Sequence, residues 1–278
     1  MGPEYGDARA RSSHALLKKR SPVRPRIGQV GTQTIQAVLV ARLGESREIS
    51  TTLLAVAGDQ DRVLAGAYLN SLRAVFRDQG TRTRVISSHD PVQTILAEAE
   101  ADYDLLVIGT PTMSRSEDSV FGPIIDDLIK LSNTPTLVVR GENVPDDWVP
   151  TRILVPANAS TSSRNAADLA FAIAGSGAVV TGVHVVTPTR LAGMRPSIAL
   201  DVTADFEIVA TRMGQHVETE VREAEDVETG ILDAIVEFDA DLLVLGTSVR
   251  AGTTRLHLGP RVEYLTRLAP CPVVILNS

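Results

Sequence analysis

The sequence predicts an α/β protein built from two doubly wound domains, each a parallel sheet covered by helices on both faces. The first observation is an internal repeat, because residues 102–110 (DYDLLVIGT) and 122–139 recur as 239–247 (DADLLVLGT) and 259–276 at a constant offset of 137 positions. The second is that each copy alternates short, unbroken apolar runs with segments of helical period, which is typical of parallel strands. With 278 residues, 44% of them hydrophobic, the chain is large enough for two cores.

The second repeat, taken as residues 151–278, gives the clearer pattern of elements. Apolar runs that end at proline or glycine predict the strands, and apolar residues three and four positions apart predict the helices. The loop between the second strand and second helix contains Pro188 and Pro196. The expected strands are 152–156, 178–186, 217–222, 241–245 and 272–276, and the expected helices are 162–174, 203–215, 227–238 and 260–268.

The first repeat, taken as residues 27–141, follows the same scheme with a weak beginning. Helices are expected at 32–43 and 61–76, and the closing strand at 136–139, before a polar linker at 141–150. The first strand should precede residue 32, but residues 23–31 (VRPRIGQVG) contain a proline and two glycines, which suit a central strand poorly. The first strand of this repeat is therefore either degenerate or missing.

Residues 1–26 are expected to form a basic, flexible tail. Seven arginines and lysines and no acidic residue lie between positions 8 and 26, although the whole chain carries a net charge of −7. The acidic remainder argues against nucleic acid as a partner. The segment is either solvated and disordered, or lies near an anionic membrane surface or a membrane transporter.

The location expected from the sequence is the cytoplasm, with a membrane-peripheral position as the alternative. The N-terminal residues lack the apolar region of a secretory signal, and no stretch has the length and apolarity of a membrane-spanning helix. A single cysteine, Cys271, excludes a disulfide within the chain and fits a reducing compartment.

A ligand site is expected where the fourth strand of each repeat ends. Open parallel sheets bind ligands beyond the carboxyl ends of their strands, at the point where the strand order reverses. In the second repeat the fourth strand runs into Gly246, and the next helix begins at Gly259-Pro260. Glycine lets the backbone approach a ligand closely, and the free N–H groups of a helix start favour an anion.

These segments resemble the universal stress protein family, whose ATP-binding members carry Gly-x2-Gly-x9-Gly-Ser/Thr between the fourth strand and fourth helix. Here the outer glycines, Gly246 and Gly259, keep the family spacing. Residues 152–160 (RILVPANAS) resemble the family's first strand and loop, with Asn158 where an aspartate is usual. The resemblance implies an adenine nucleotide, ATP or AMP, as ligand of the second repeat. The binding residues that it implies are Ala157, Asn158, Gly246, Thr247, Arg250, Gly259, Pro260, Arg261 and Val262.

The departures from the family pattern weaken the phosphate chemistry. The middle glycine is replaced by Val249, and by Thr112 in the first repeat, and the residue after the last glycine is proline in both copies. Proline removes a hydroxyl and a backbone N–H that could bind phosphate. Three arginines flank the loop of the second repeat and could supply charge, whereas the first repeat adds acidic residues. The residues concerned are Arg250, Arg255 and Arg261 in the second repeat, and Arg115, Glu117 and Asp118 in the first.

The resemblance therefore implies an ancestral nucleotide site that is altered in the second repeat and lost in the first. The alternative interpretation is that the glycines serve loop geometry alone. Pairing of the two closing strands, 135–139 and 272–276, is expected to join the repeats as an intramolecular pseudo-dimer, because an unpaired apolar edge promotes aggregation. Homodimer formation through other faces stays open.

The resemblance implies a stress-response or regulatory protein, and the scarcity of catalytic residue patterns predicts that it is not an enzyme. The five histidines are scattered without metal-ligand spacing, His184 lies in an apolar run that suggests a core position, and Cys271 stands between two prolines. One alternative is a cytosolic regulatory domain of a cation/proton antiporter or amino-acid permease, which residues 259–263 (GPRVE) resemble. The other is a weak ATP hydrolase.

Overall fold

The computed structural model describes residues 14–19, 35–46, 48–76, 80–110, 119–141, 144–145, 147–188, 196–249 and 255–278. Within these residues one ten-stranded sheet is covered by helices on both faces. The strands are β1 (His14–Lys19), β2 (Ile49–Ala57), β3 (Arg82–Ser87), β4 (Leu105–Thr110), β5 (Thr136–Arg140), β6 (Arg152–Pro156), β7 (Val179–Val186), β8 (Val217–Glu223), β9 (Leu242–Thr247) and β10 (Val273–Asn277).

Eight α-helices have bounds among the described residues. They are α1 (Ile35–Ser46), α2 (Arg62–Arg73), α3 (Pro91–Glu100), α4 (Pro123–Leu131), α5 (Thr161–Ile173), α6 (Pro196–Met213), α7 (Val227–Glu237) and α8 (Pro260–Leu268). One core layer lies between the sheet and α1, α2, α5 and α6, and the other lies between the sheet and α3, α4, α7 and α8. None of the described helices is both long and apolar enough to cross a membrane.

Each repeat contributes five strands in the same spatial order. The sheet runs β3-β2-β1-β4-β5-β10-β9-β6-β7-β8, so both halves read third, second, first, fourth, fifth from the outer edge to the centre. The order reverses between the first and fourth strands, which opens a crevice at their carboxyl ends. The predicted doubly wound α/β fold is confirmed, and the switch point falls beside β4 and β9.

The two repeats join through their closing strands, as predicted. β5 and β10 pair in antiparallel fashion, with Val138 opposite Ile275 and Leu137 opposite Leu276. Val138 and Ile275 are equivalent residues of the repeats, 137 positions apart. Because equivalent residues face each other, an approximate twofold axis passes between them, perpendicular to the sheet. Both side chains are at most 1% exposed.

The first strand differs from the prediction. Residues 14–19 belong to the segment expected to be a flexible tail, yet they form β1 between β2 and β4 and run antiparallel to both. The facing edges of β2 and β4 carry backbone N–H and C=O groups that need hydrogen-bond partners. An antiparallel strand between them supplies these partners as well as a parallel strand does. Residues 23–31, the suspected degenerate strand, lie outside the described residues.

Helix α6 begins earlier than predicted. It starts at Pro196, whereas the sequence analysis assigned this proline to a loop and started the helix at residue 203. Proline is favoured in the first turn of a helix, where its missing N–H costs nothing, so the residue marks a start here and not a break.

Candidate functional site

The candidate site lies at the carboxyl ends of β6 and β9 in the second repeat. The loop after β6 carries Ala157 and Asn158, β9 ends with Gly246 and Thr247, and α8 begins after Gly259. These strands are neighbours in the sheet. The structure thus gathers the predicted residues of both segments on one edge.

Hydrogen bonds hold the loop after β6 in a fixed conformation. The Asn158 Oδ1 accepts the N–H of Ser160 at 2.8 Å, and the Asn158 N–H donates to Ser163 Oγ at 3.0 Å. Ser160 caps α5 by accepting the N–H of Ser163 at 3.2 Å. The Asn158 side chain is exposed, and its Nδ2 has no partner among the described residues. This amide group can therefore donate to a ligand.

His184 supports this loop from inside the protein. Its Nδ1 lies 2.8 Å from the carbonyl oxygen of Ala157, and the Ala157 N–H donates to the Val183 carbonyl at 2.7 Å. Because a carbonyl only accepts, Nδ1 carries the proton. His184 is buried. It is the satisfied core histidine that the sequence predicts.

Gly246 and Thr247 serve packing. A Cβ on Gly246 would lie 1.9 Å from the carbonyl oxygen of Ser162, so only glycine lets the start of α5 rest on the end of β9. The buried Thr247 donates its hydroxyl proton to the Leu258 carbonyl at 2.9 Å. This bond ties the two ends of the loop together. Both contacts are made within the protein, and neither involves a ligand.

At the start of α8, one backbone N–H group is bonded by a side chain and, among the described residues, the next one is not. Glu263 accepts the Leu258 N–H at 3.2 Å, and its other oxygen lies 3.5 Å from Arg255. Gly259 takes a φ of 93°, which favours glycine, and its N–H has no partner within the described chain. The sequence analysis missed Glu263, although an acidic residue in the first turn of a helix is a recognised capping signal.

The described part of the equivalent loop of the first repeat, from Ser119 onward, is closed by hydrogen bonds. Asp126, the counterpart of Glu263, is 4% exposed and accepts the N–H groups of Val120 at 2.7 Å and Phe121 at 2.9 Å. Ser119 donates to Asp126 at 2.8 Å and accepts the Gly122 N–H, also at 2.8 Å. The groups that would hold an anion are thus bound by the protein itself.

The family comparison matches this repeated architecture. The model of the universal stress protein family matches residues 35–140 and 150–277. The chain belongs to the universal stress protein family. The two matched regions are the two repeats, and together they cover most of the chain.

Two solved universal stress proteins share the fold over most of this chain. One from Archaeoglobus fulgidus is 17% identical, with a TM-score of 0.60, over 88% of this chain and 95% of its own. One from Pseudomonas aeruginosa is 19% identical, with a TM-score of 0.54, over 81% of this chain and 82% of its own. One from Burkholderia pseudomallei is 28% identical but covers 46% of this chain and 96% of its own, with a TM-score of 0.34. A search of curated protein sequences finds no match.

Three of the other residues predicted to bind a ligand lie at the start of α8, and the structure gives each a different environment. Arg261 is exposed and donates to Glu228 at 3.2 Å, so an ion pair directs its side chain toward α7. Val262 is half-buried and packs on the core layer below α8. Pro260 occupies the first turn of α8 and offers no N–H. Arg250 lies outside the described residues.

Among the described residues of the first repeat, no loop follows the first strand at the carboxyl edge as the Asn158 loop does in the second repeat. Because β1 runs in reverse, its last residue, Lys19, pairs with Ile49 at the start of β2, on the amino edge of the sheet. The side-chain amide of Gln36 lies over Gly109, 1.4 Å from where a Cβ would stand. The first repeat therefore keeps the fold of the family, and its described residues fill the positions at Gly109 and Gly122 with contacts from the protein itself.

Proposed function

We propose that this chain is a non-enzymatic regulatory universal stress protein in which the second repeat binds an adenine nucleotide and the first repeat is its structural partner. The observation that carries the proposal is the difference between two equivalent glycines. The N–H of Gly259 has no partner among the described residues, whereas the N–H of Gly122 is bound by Ser119 at 2.8 Å. An unoccupied N–H at a helix start suits a phosphate oxygen.

The loop after β6 adds the polar groups that a nucleoside needs. Asn158 presents a free Nδ2 donor, and the hydroxyl groups of Ser160 and Ser162 lie 3.1 Å apart beside it. A ribose or a base can bind such donors and acceptors, and their fixed positions lower the entropy lost on binding. The charge of the site is modest, because Arg255 and Arg261 are already bound to Glu263 and Glu228.

The non-enzymatic part of the proposal is supported by the state of the nucleophiles. Burial raises the pKa of the Cys271 thiol to about 12. Such a thiol stays protonated at neutral pH and is a poor nucleophile. His184 uses Nδ1 to hold the Ala157 carbonyl, which leaves it a positioning role.

Isothermal titration of the full chain with ATP, AMP and cyclic AMP tests the proposal, with phosphate release measured in parallel. At least one nucleotide should bind, Asn158→Ala should weaken it, and Arg261→Glu should weaken it about tenfold by placing negative charge at the start of α8. Arg267→Glu makes the same charge change near the helix end and should have little effect. No binding heat with any nucleotide would refute nucleotide binding, and ATP turnover above the buffer rate would refute the non-enzymatic role.

A further inference from the structure

The two outer edges of the ten-stranded sheet carry opposite charge. β3 ends the sheet on one side and β8 on the other, and neither has a second strand partner in the described chain. β3 has the sequence RTRVIS and contributes Arg82 and Arg84, whereas β8 has the sequence VETEVRE and contributes three glutamates and one arginine. We call these strands the basic edge and the acidic edge. Arg82 and Glu218 are exposed and form no ion pair with described residues.

We propose that the basic edge of one copy of this protein binds the acidic edge of a second copy, so that molecules associate head to tail. The inference is independent of nucleotide binding. Its partner is a second copy because the complementary surfaces are both present on one chain. An association of this kind is heterologous and does not close on itself as a symmetric dimer does.

The direction of the strands permits this contact. β3 is parallel to β2, and β4 is parallel to β5. Because β1 is antiparallel to both β2 and β4, these two strands run in the same direction. β2, β3 and β4 therefore all share the direction of β5. β10 is antiparallel to β5, and β9, β6, β7 and β8 follow the direction of β10. β3 and β8 therefore run in opposite directions, and two copies related by translation place them side by side as an antiparallel pair.

One antiparallel register matches four consecutive residues of the two edges. Residues directly opposite each other in such a pair interact, and opposite charges, threonine pairs and β-branched pairs are favourable. The matched pairs are Arg82 with Glu220, Thr83 with Thr219, Arg84 with Glu218, and Val85 with Val217.

The faces of the sheet agree with this register. Val85 and Val217 both pack on the core layer of α1, α2, α5 and α6. Arg84 bonds Glu98 of α3 on the other face at 2.6 Å, and Arg222, two residues along the strand from Glu220, bonds Glu237 of α7 on that same face. Since residues opposite each other in a continuous sheet point to the same face, the valine pair and the charged pairs each meet on the correct side.

Exposed apolar side chains flank the two edges on one face. On α2, beside the basic edge, Val63 is 82% exposed and Leu64 is 55% exposed. On α6, beside the acidic edge, Ile208 is 65% exposed. Both helices cover the same face of the sheet, so the contact would bring these side chains toward each other. Burial of these exposed apolar side chains would favour the contact.

Symmetric pairing of like edges is disfavoured by the same charges. Two basic edges would bring Arg82 and Arg84 of one copy against those of the other, and two acidic edges would oppose Glu218 and Glu220 in the same way. Like charges directly opposite each other in a pair are destabilising. Charged edges usually protect a sheet against association. Here the charges oppose pairing of two basic edges or of two acidic edges, but they favour pairing of a basic edge with an acidic edge.

Sedimentation velocity of the full chain, from about 10 µM to about 1 mM, tests the proposal. At about 0.05 M NaCl we expect association that increases with concentration, and at about 0.5 M NaCl screening of exposed charges should weaken it about tenfold. Arg82→Glu and Glu220→Arg should each reduce association by about tenfold. Arg267→Glu, far from both edges, should leave it unchanged.

Mixing variants tests the register. Arg82→Glu mixed with Glu220→Arg should associate again, because each reversed charge faces its reversed partner, whereas Arg82→Glu mixed with Glu218→Arg should not. Circular dichroism checks that Glu220→Arg is folded. If it is unfolded, the variant Glu218→Gln is used instead, and sedimentation velocity should then show that Glu218→Gln associates less than the unchanged protein. A monomer at every concentration would overturn the proposal, as would association that Arg82→Glu leaves unchanged.

Discussion

Replacing Gly246 by alanine should destabilise the fold far more than the same change at Gly109, although the two glycines occupy equivalent positions in β9 and β4. The new Cβ at position 246 would lie 1.9 Å from the Ser162 carbonyl oxygen and 2.4 Å from its carbon. Since real Cβ contacts are essentially never shorter than 3.0 Å, the two segments must separate by about 1.1 Å. Backbone at the start of a packed helix gives way at a cost of about 3 kcal/mol.

At Gly109 the obstacle is of another kind. The nearest atoms belong to the side-chain amide of Gln36, at 1.4 Å and 2.3 Å, and a flexible side chain can rotate away. The cost should stay below about 1 kcal/mol. The entropy that alanine removes from the unfolded chain is common to both variants and cancels in the comparison. Gly58→Ala is the matched control, because φ there is −65° and nothing lies within 4 Å of the new Cβ.

Urea unfolding, followed by far-UV circular dichroism and by the fluorescence of the single tryptophan, Trp148, measures these differences. The midpoint should fall strongly for Gly246→Ala, slightly for Gly109→Ala, and remain or rise for Gly58→Ala. Equal midpoints for Gly246→Ala and Gly109→Ala would refute the packing argument. The result also bears on ligand tests, because a change at Gly246 removes stability as well as any contact to a nucleotide.

Two further variants probe groups whose state the structure specifies. Asp126→Ala should lower the free energy of unfolding by about 3 kcal/mol, because it leaves two buried N–H groups without an acceptor. Glu263→Ala should lower it less, since Glu263 accepts one N–H group. Equal urea midpoints for the two variants would contradict this. Cys271 should react with a thiol reagent at pH 8 much more slowly than glutathione, because the thiol is buried and burial raises its pKa to about 12. The rate should rise on unfolding in urea, and a folded protein that reacts as fast as glutathione would show that the thiol is accessible.

Much of the fold follows from the repeat and its hydrophobic period. The constant offset of 137 predicted two equivalent domains, and the equivalence of 135–139 and 272–276 predicted the β5–β10 pairing that the structure contains. The direction of β1 could not be predicted in this way. A six-residue strand with two lysines carries no signal for its direction, which depends on tertiary neighbours.

The sequence predicted where the residues of the candidate site lie, but it did not predict which contacts each residue makes. The glycines and the Asn158 loop do meet at one edge, as strand ends of an open sheet must. Sequence alone could not say that Gly246 faces the Ser162 backbone, or that Arg261 is engaged by Glu228, because both facts depend on residues distant along the chain. Glu263 had a local signal, its place in the first turn of α8, and could have been found.

The approximate twofold axis explains why the differences between the repeats are informative. Equivalent residues start from the same backbone, so a difference in hydrogen bonding at Gly122 and Gly259 reflects the side chains around them. Serine at 119 closes the first loop, and leucine at the equivalent position 256 is fully buried and cannot bond the Gly259 N–H. Among the described residues, the N–H at this position is therefore bonded in the first repeat and unbonded in the second. In the proposed function the second repeat makes the ligand contact, and the first repeat contributes the fold whose β5 pairs with β10.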